Sequence, residues 1–197
     1  MEDASDRELL VVARAGGRSG RRAFGALVAR HQSWLVRLLS HLLAVPPAQA
    51  EDYAQEAFVR VFQRLDALPD VVDFRAYVRT AATRLAFNAR RDEANRHRIL
   101  RESAWAPDNP VGSPEAYPEH QALLLVLSDL PYPYREILIL RHVEELSLQE
   151  IAESLDVGLS AAKMRLKRAR EAFVERYEAR TDTDTAASTV EPSGRDR

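Results

Sequence analysis

Apolar side chains recur every three or four residues through most of this chain, and that spacing limits it to helices. Phe24, Leu27, Val28, His31, Leu35, Leu38 and Leu42 keep the spacing until Val45-Pro46-Pro47 stops it. Ala54, Ala57, Phe58, Val61, Phe62 and Leu65 form a second stripe, broken at Leu68-Pro69-Asp70. Phe74, Tyr77, Val78, Ala81, Ala82 and Leu85 form a third. Upstream, Ser5-x-x-Glu8 has the form of a capping box ahead of Leu9, Leu10 and Val12. Amphipathic helices with short connections predict an all-α bundle.

The periodicity lapses once. Residues 97–120 contain the stretch APDNPVGSPEAYPEH, with four Pro and one Gly and no helical repeat, and are expected to be a flexible linker. The pattern returns at Leu123 and lasts to about Tyr177. The division expected is a helical domain over 1–96, the linker over 97–120, a second helical domain over 121–178 and a disordered polar tail over 179–197.

Several chemistries are excluded by what the chain lacks. It has no cysteine, so disulfides, thiol nucleophiles and thiolate metal sites are absent. Its five histidines, His31, His41, His97, His120 and His142, never take paired ligand spacing, so no metal site is expected. The paired carboxylates Glu51/Asp52 and Glu144/Glu145 read as parts of patterned helix faces, with no histidine or glycine-rich phosphate loop to make a catalytic constellation. No enzyme activity, catalytic residue or cofactor is expected. No apolar run reaches the ~18–20 residues of a membrane span, and the acidic start MEDASDREL has no signal-peptide core, so a cytoplasmic location is expected.

The formal net charge of −2 hides segregation. Seven Arg and two acids lie between Arg75 and Arg98; five bases and no acid lie between Ser160 and Arg170. Glu144 to Asp156 holds five acids and no base. Solvated helix faces account for any one such run. Two compact basic stripes on a balanced chain point to a polyanion held at two places.

The second stripe has a specific geometry. Leu148, Ile151, Ala152 and Leu155 lie on one helical face, a short break follows at 156–159, and SAAKMRLKRAREAF begins a new helix. There Ala162, Leu166, Ala169 and Phe173 fall on one face. Met164 lies opposite, flanked by Lys163, Lys167 and Arg168, with Arg165 and Arg170 on the shoulders. This is a helix-turn-helix pattern whose second helix suits a DNA major groove. Cations there meet phosphates or base acceptors, and Met164 meets a thymine methyl. Ser160 is placed to cap the helix and meet a phosphate. Asp156 stands where such turns need a left-handed residue, which Asp tolerates.

In the first half, Asp52, Gln55, Glu56 and Val59 share the exposed face of one helix, acidic with a bare valine. On the next, Arg75, Arg79 and Arg90 share a face, and Arg84 and Arg91 lie beyond the apolar seam. Phe74 belongs to the core, and Tyr77 lies between core packing and base stacking. Arginines interleaved with aromatics suit unpaired DNA.

Taken in order, Glu51-Asp52-x-x-Gln55-Glu56-x-Phe58, Phe74-x-x-Tyr77-Val78-Arg79-x-Ala81, Leu130-Pro131, Arg135-Glu136-x-Leu138-x-Leu140-Arg141, Leu146-Ser147-Leu148-x-Glu150-Ile151-Ala152 and Lys163-x-Arg165-Leu166-x-Arg168-Ala169-Arg170 resemble a bacterial RNA polymerase sigma factor of the extracytoplasmic-function type. The resemblance spans residues from about 7 to 178. It implies two small helical domains, sigma regions 2 and 4, and a factor that directs core RNA polymerase to promoters. It further implies that Asp52, Gln55, Glu56 and Val59 meet the clamp of the largest polymerase subunit, and that the second domain meets the flap of the second-largest. By the same resemblance Arg75, Arg79, Arg84, Asn88 and Arg91 engage the −10 element as it opens, and the 66–73 loop holds a flipped base. Lys163, Met164, Lys167 and Arg168 would read the −35 element, with Arg141, Ser160 and Arg165 on phosphates. An anti-sigma partner is implied by resemblance alone. The chain departs from the family pattern at Tyr77-Val78, at Arg84 where Asn is usual, and at Ala161-Ala162 where Thr-Val is usual. A stand-alone helix-turn-helix regulator is the alternative, and it leaves the Asp52–Glu56 face unexplained.

Overall fold

The computed structural model describes the backbone of residues 4–68, 73–100 and 118–188, with side chains except at 93–100, 118–122 and 181–188. The elements are α1 (Asp6–Arg14), α2 (Gly17–Leu43), α3 (Pro47–Phe62), a 3-10 turn (Leu65–Ala67), α4 (Phe74–Leu100), α5 (Pro118–Asp129), α6 (Tyr132–His142), α7 (Leu148–Leu155) and α8 (Leu159–Ser188). No strand occurs among the described residues.

The capping box at the start of α1 forms as the sequence predicts. The Ser5 hydroxyl accepts from the Glu8 N–H at 3.3 Å, and the Glu8 carboxylate accepts from the Ser5 N–H at 2.7 Å, closing the box that starts α1. Pro47 opens α3, where its missing N–H costs nothing. Asp73 caps α4 by accepting from the Ala76 N–H at 3.1 Å. α1 and α2 cross so closely at Gly20 that a Cβ there would stand 2.8 Å from the Ala13 carbonyl oxygen.

α1 to α4 enclose one core, with Leu9, Leu27, Leu35, Leu39, Phe58, Phe74 and Val78 buried in it. His31 is buried too, its Nε2 2.6 Å from the Asp6 carboxylate. The second core gathers Leu130, Ile137, Leu138, Leu140, Ile151, Ala162, Leu166 and Ala169. Ile139, although on α6, belongs to the first core, with half-buried Tyr132 packed beside it. The helical units therefore share α6. Arg135 fixes the junction: its guanidinium donates to the carbonyls of Leu127, Ser128 and Leu130 at the end of α5, and to Leu42 at the end of α2. Four carbonyls at helix ends, of which that of Leu127 also accepts from the Leu130 N–H, are met by one buried side chain.

The expected boundaries shift. α4 runs to Leu100 rather than 96, and α5 starts at Pro118 rather than 121, so both ends of the expected linker are helical. Residues 101–117 lie outside the described residues. α8 continues to Ser188, where a disordered tail was expected from 179. Nothing between Gly158 and Pro192 breaks a helix, and Arg180 ties α8 to Asp129 of α5 at 3.5 Å. Loss of the apolar stripe marks where burial ends; helix needs a separate stop signal. Residues 189–197 lie outside the described ones.

Candidate nucleic-acid interface

α7 opens with a second capping box: Ser147 accepts from the Glu150 N–H at 3.2 Å and its own N–H reaches Glu150 at 2.8 Å. That bonding holds the Glu150 carboxyl below its ordinary range. α7 ends at Asp156, which takes the left-handed conformation (φ 53°) as the sequence required. Val157 then packs on the core, its N–H bonded to the Ala152 carbonyl at 2.9 Å. With Ala152 and Ala162 both buried, α7 and α8 close on small side chains.

This turn sets the outward face of α8. Ala162, Leu166 and Ala169 are buried, with Phe173 half-buried beside them. Lys163, Met164, Lys167 and Arg168 are exposed, with Met164 at 49%. Arg165 is half-buried on the shoulder. Two residues differ from expectation. Ser160 is exposed but lies second in the helix, because α8 begins at Leu159; the Gly158 carbonyl accepts the first helical bond, from Ala162. Arg141 is half-buried and donates to the Leu146 carbonyl at 2.6 Å, which staples the α6–α7 turn.

In the first unit, Asp52, Gln55, Glu56 and Val59 all lie exposed on α3. Glu56 is held by Arg60 of the same helix at 2.8 Å. The stripe assigned Phe62 to the core, yet it is 43% exposed, as Val59 is at 51%, with its ring centroid 4.9 Å from that of Phe24 in the core. α3 thus ends in an apolar tip next to its acidic face.

The α4 arginines divide. Arg84, Asn88 and Arg91 are exposed, and Arg91 pairs with neighbouring Asp92 at 3.7 Å. Arg75 and Arg79 turn instead to Glu144, just past α6, at 3.7 and 3.5 Å. Trp34 of α2 donates its indole N–H to the same carboxylate at 2.8 Å. The Arg75 guanidinium lies 4.5 Å over the Trp34 ring. Phe74 is buried and Tyr77 packs half-buried on the core. The 66–73 loop is described only in part: Leu68 is held through its carbonyl by Arg14 at 2.8 Å, and residues 69–72 lie outside the described ones.

Sequence reasoning missed Trp34 and Glu144. Glu144 looked like one of a run of solvated acids, whereas its side chain is 4% exposed. A usable signal lay just upstream. Ile137, Leu138, Ile139 and Leu140 are four consecutive apolar residues on one helix, and such a helix has no side left for water. That run announces a second packing partner for α6, and hence burial for the side chains just past its C-terminal end.

No described helix is long and apolar enough to cross a membrane. Residues 27–96 match the family described as Sigma-70 region 2, and residues 120–173 match Sigma-70, region 4. The ECF RNA polymerase sigma factor SigW of Bacillus subtilis (strain 168) is 30% identical over 137 residues, 64% of this chain and 73% of that protein. An RNA polymerase sigma-E factor of Streptomyces avermitilis is 32% identical over 177 residues, 88% of this chain and 94% of that one. Among solved structures, CnrH in complex with the cytosolic domain of CnrY superimposes with a TM-score of 0.61 at 25% identity, over 88% of this chain and 97% of that chain.

Proposed function

This chain belongs to the sigma-70 family, among its extracytoplasmic-function members, and on that premise we propose which surface meets each partner as it directs promoter-specific transcription initiation by RNA polymerase. α8 enters the major groove of the −35 element. Lys163, Met164, Lys167 and Arg168 face base edges, and Ser160 and Arg165 face phosphates. Arg141 contributes to the same backbone through donors its Leu146 bond leaves over. The carrying observation is the exposed basic face of α8, centred on Met164 and backed by buried Ala162, Leu166 and Ala169.

The opened −10 strand lies along α4, on Arg75, Arg79, Arg84, Asn88 and Arg91. Asp52, Gln55, Glu56 and Val59 dock on the clamp of the largest polymerase subunit, with exposed Phe62 extending the apolar part of that surface. The second unit docks on the flap of the second-largest. The factor acts in the cytoplasm by binding, with no chemical step of its own. An anti-sigma partner belongs to the same reading; CnrH was solved in complex with a second polypeptide, the cytosolic domain of CnrY, which supports a protein partner for this chain.

The test is run-off transcription with core polymerase on a promoter library. The factor is expected to produce discrete start sites, and charge reversal at Asp52 and Glu56 to weaken polymerase binding while duplex binding persists. Tight duplex binding with no transcript under any condition would establish the stand-alone regulator instead.

A further inference from the structure

Resting on the reading of α4 as the face for opened DNA, we propose that Trp34, Arg75 and Arg79 form an anion receptor, filled by Glu144 in the closed chain and by a backbone phosphate of the opened strand once that carboxylate leaves. The receptor is built from α2 and α4, and its occupant comes from the other unit. Glu144 Oε1 accepts from the Trp34 indole at 2.8 Å, and Oε2 lies 3.5 Å from Arg79 and 3.7 Å from Arg75. Stacking on Trp34 holds the Arg75 guanidinium in place before any ligand arrives.

The turn after α6 aims the carboxylate. Glu145 adopts the left-handed conformation (φ 54°), the Leu146 N–H reaches back to the Leu140 carbonyl at 3.0 Å, and Arg141 holds the Leu146 carbonyl. A left-handed non-glycine residue is costly enough that the turn is a specified feature.

The fit is incomplete. Glu144 Oε2 accepts no hydrogen bond and Arg79 Nε donates none, although both atoms are buried. A buried carboxylate oxygen with ion pairs at 3.5 and 3.7 Å but no hydrogen bond is compensated only in part for its desolvation. A phosphodiester offers two non-bridging oxygens with wider spread, and arginine forks match that geometry better than a point contact does. The receptor thus retains its self-ligand loosely and has unused donor capacity for phosphate. Because one site cannot hold both anions, the closed fraction lowers the apparent affinity for DNA.

The experiment uses the full chain with dyes on Gln49→Cys and Glu175→Cys, exposed positions on the two units of a chain with no native cysteine. Binding is read with labelled single-stranded DNA of random sequence. Glu144→Gln is expected to lengthen the dye separation and tighten DNA binding about ten-fold, within the ordinary range of coupling between sites. Glu145→Gln makes the same charge change at the exposed neighbour and is expected to leave both readings unmoved. If Glu144→Gln matches Glu145→Gln in distance and affinity, the proposal is wrong. A longer separation with unchanged affinity overturns the exchange while sparing the reading of α4. No DNA binding by any variant, at any separation, overturns the reading of α4 and the exchange with it. Should Glu144→Gln lose helix content, Trp34→Phe removes the indole donor, keeps the ring, and is expected to lengthen the separation by itself.

Discussion

α8 and α4 are both arginine-rich helices, yet they present their charge differently. On α8 the cations Lys163, Lys167 and Arg168 project into solvent, and their one ion pair among the described residues, Lys167 to Glu171 at 3.8 Å, is surface-exposed and of little energetic weight. On α4 Arg75, Arg84 and Arg91 are exposed, yet Arg75, together with the more buried Arg79, is engaged by a carboxylate far along the chain. A basic stripe in a sequence thus reports which ligands a helix favours. Whether its charges are available is decided by whatever the rest of the fold brings against it.

The sharpest way to break this contrast is at the junction. Arg135→Ala takes the guanidinium away from the carbonyls of Leu42, Ser128 and Leu130, and from that of Leu127, which keeps the Leu130 N–H, and is expected to cost about 3–5 kcal/mol in denaturant unfolding. A loss under about 1 kcal/mol would mean that α6 does not anchor the two units.

Next comes Glu136, which burial pushes up to about 7 although Tyr132 donates to it at 3.0 Å and Arg165 opposes the rise. The folded chain then holds this proton where the unfolded chain has released it, so stability falls as pH rises from about 4.5 to 7. Glu136→Gln is expected to remove up to about 3 kcal/mol of that fall in pH-resolved melts. His41 and His142, both lowered chiefly by burial, act in the opposite sense and cancel in the difference between the two proteins.

On the open side of the comparison, Lys167→Ala or Arg168→Ala is expected to cost about 1–3 kcal/mol of −35 discrimination in promoter profiling, with stability unchanged. Unaltered −35 preference would remove α8 from the groove. The smallest effect is expected at Asp156→Gly, which relieves the left-handed strain before α8 and should raise stability by about 0.5–1 kcal/mol in thermal melts, without moving the two units apart.

Much of this was legible locally. Ser5 with Glu8, Pro47, the left-handed Asp156 and the buried face of α8 are each decided by neighbours a few residues away, so spacing revealed them. The division of the α4 arginines was not, because it depends on Glu144 and Trp34, separated from them by tens of residues and joined only by packing. Phe62 fits the helical period and still reaches water, since a stripe wider than its partner leaves its end uncovered. Arg141 and Ser160 matched a motif, but a motif does not say that one guanidinium is stapling a turn or that a helix starts one residue early.

Sharing α6 has a practical outcome for anyone who cuts this molecule in two. A fragment beginning near residue 118 would carry Ile139 and Tyr132 with their packing partners removed, turning a dry seam into greasy surface. Such a fragment should be sticky in the test tube, and the missing half, added back as a separate polypeptide, should dissolve it.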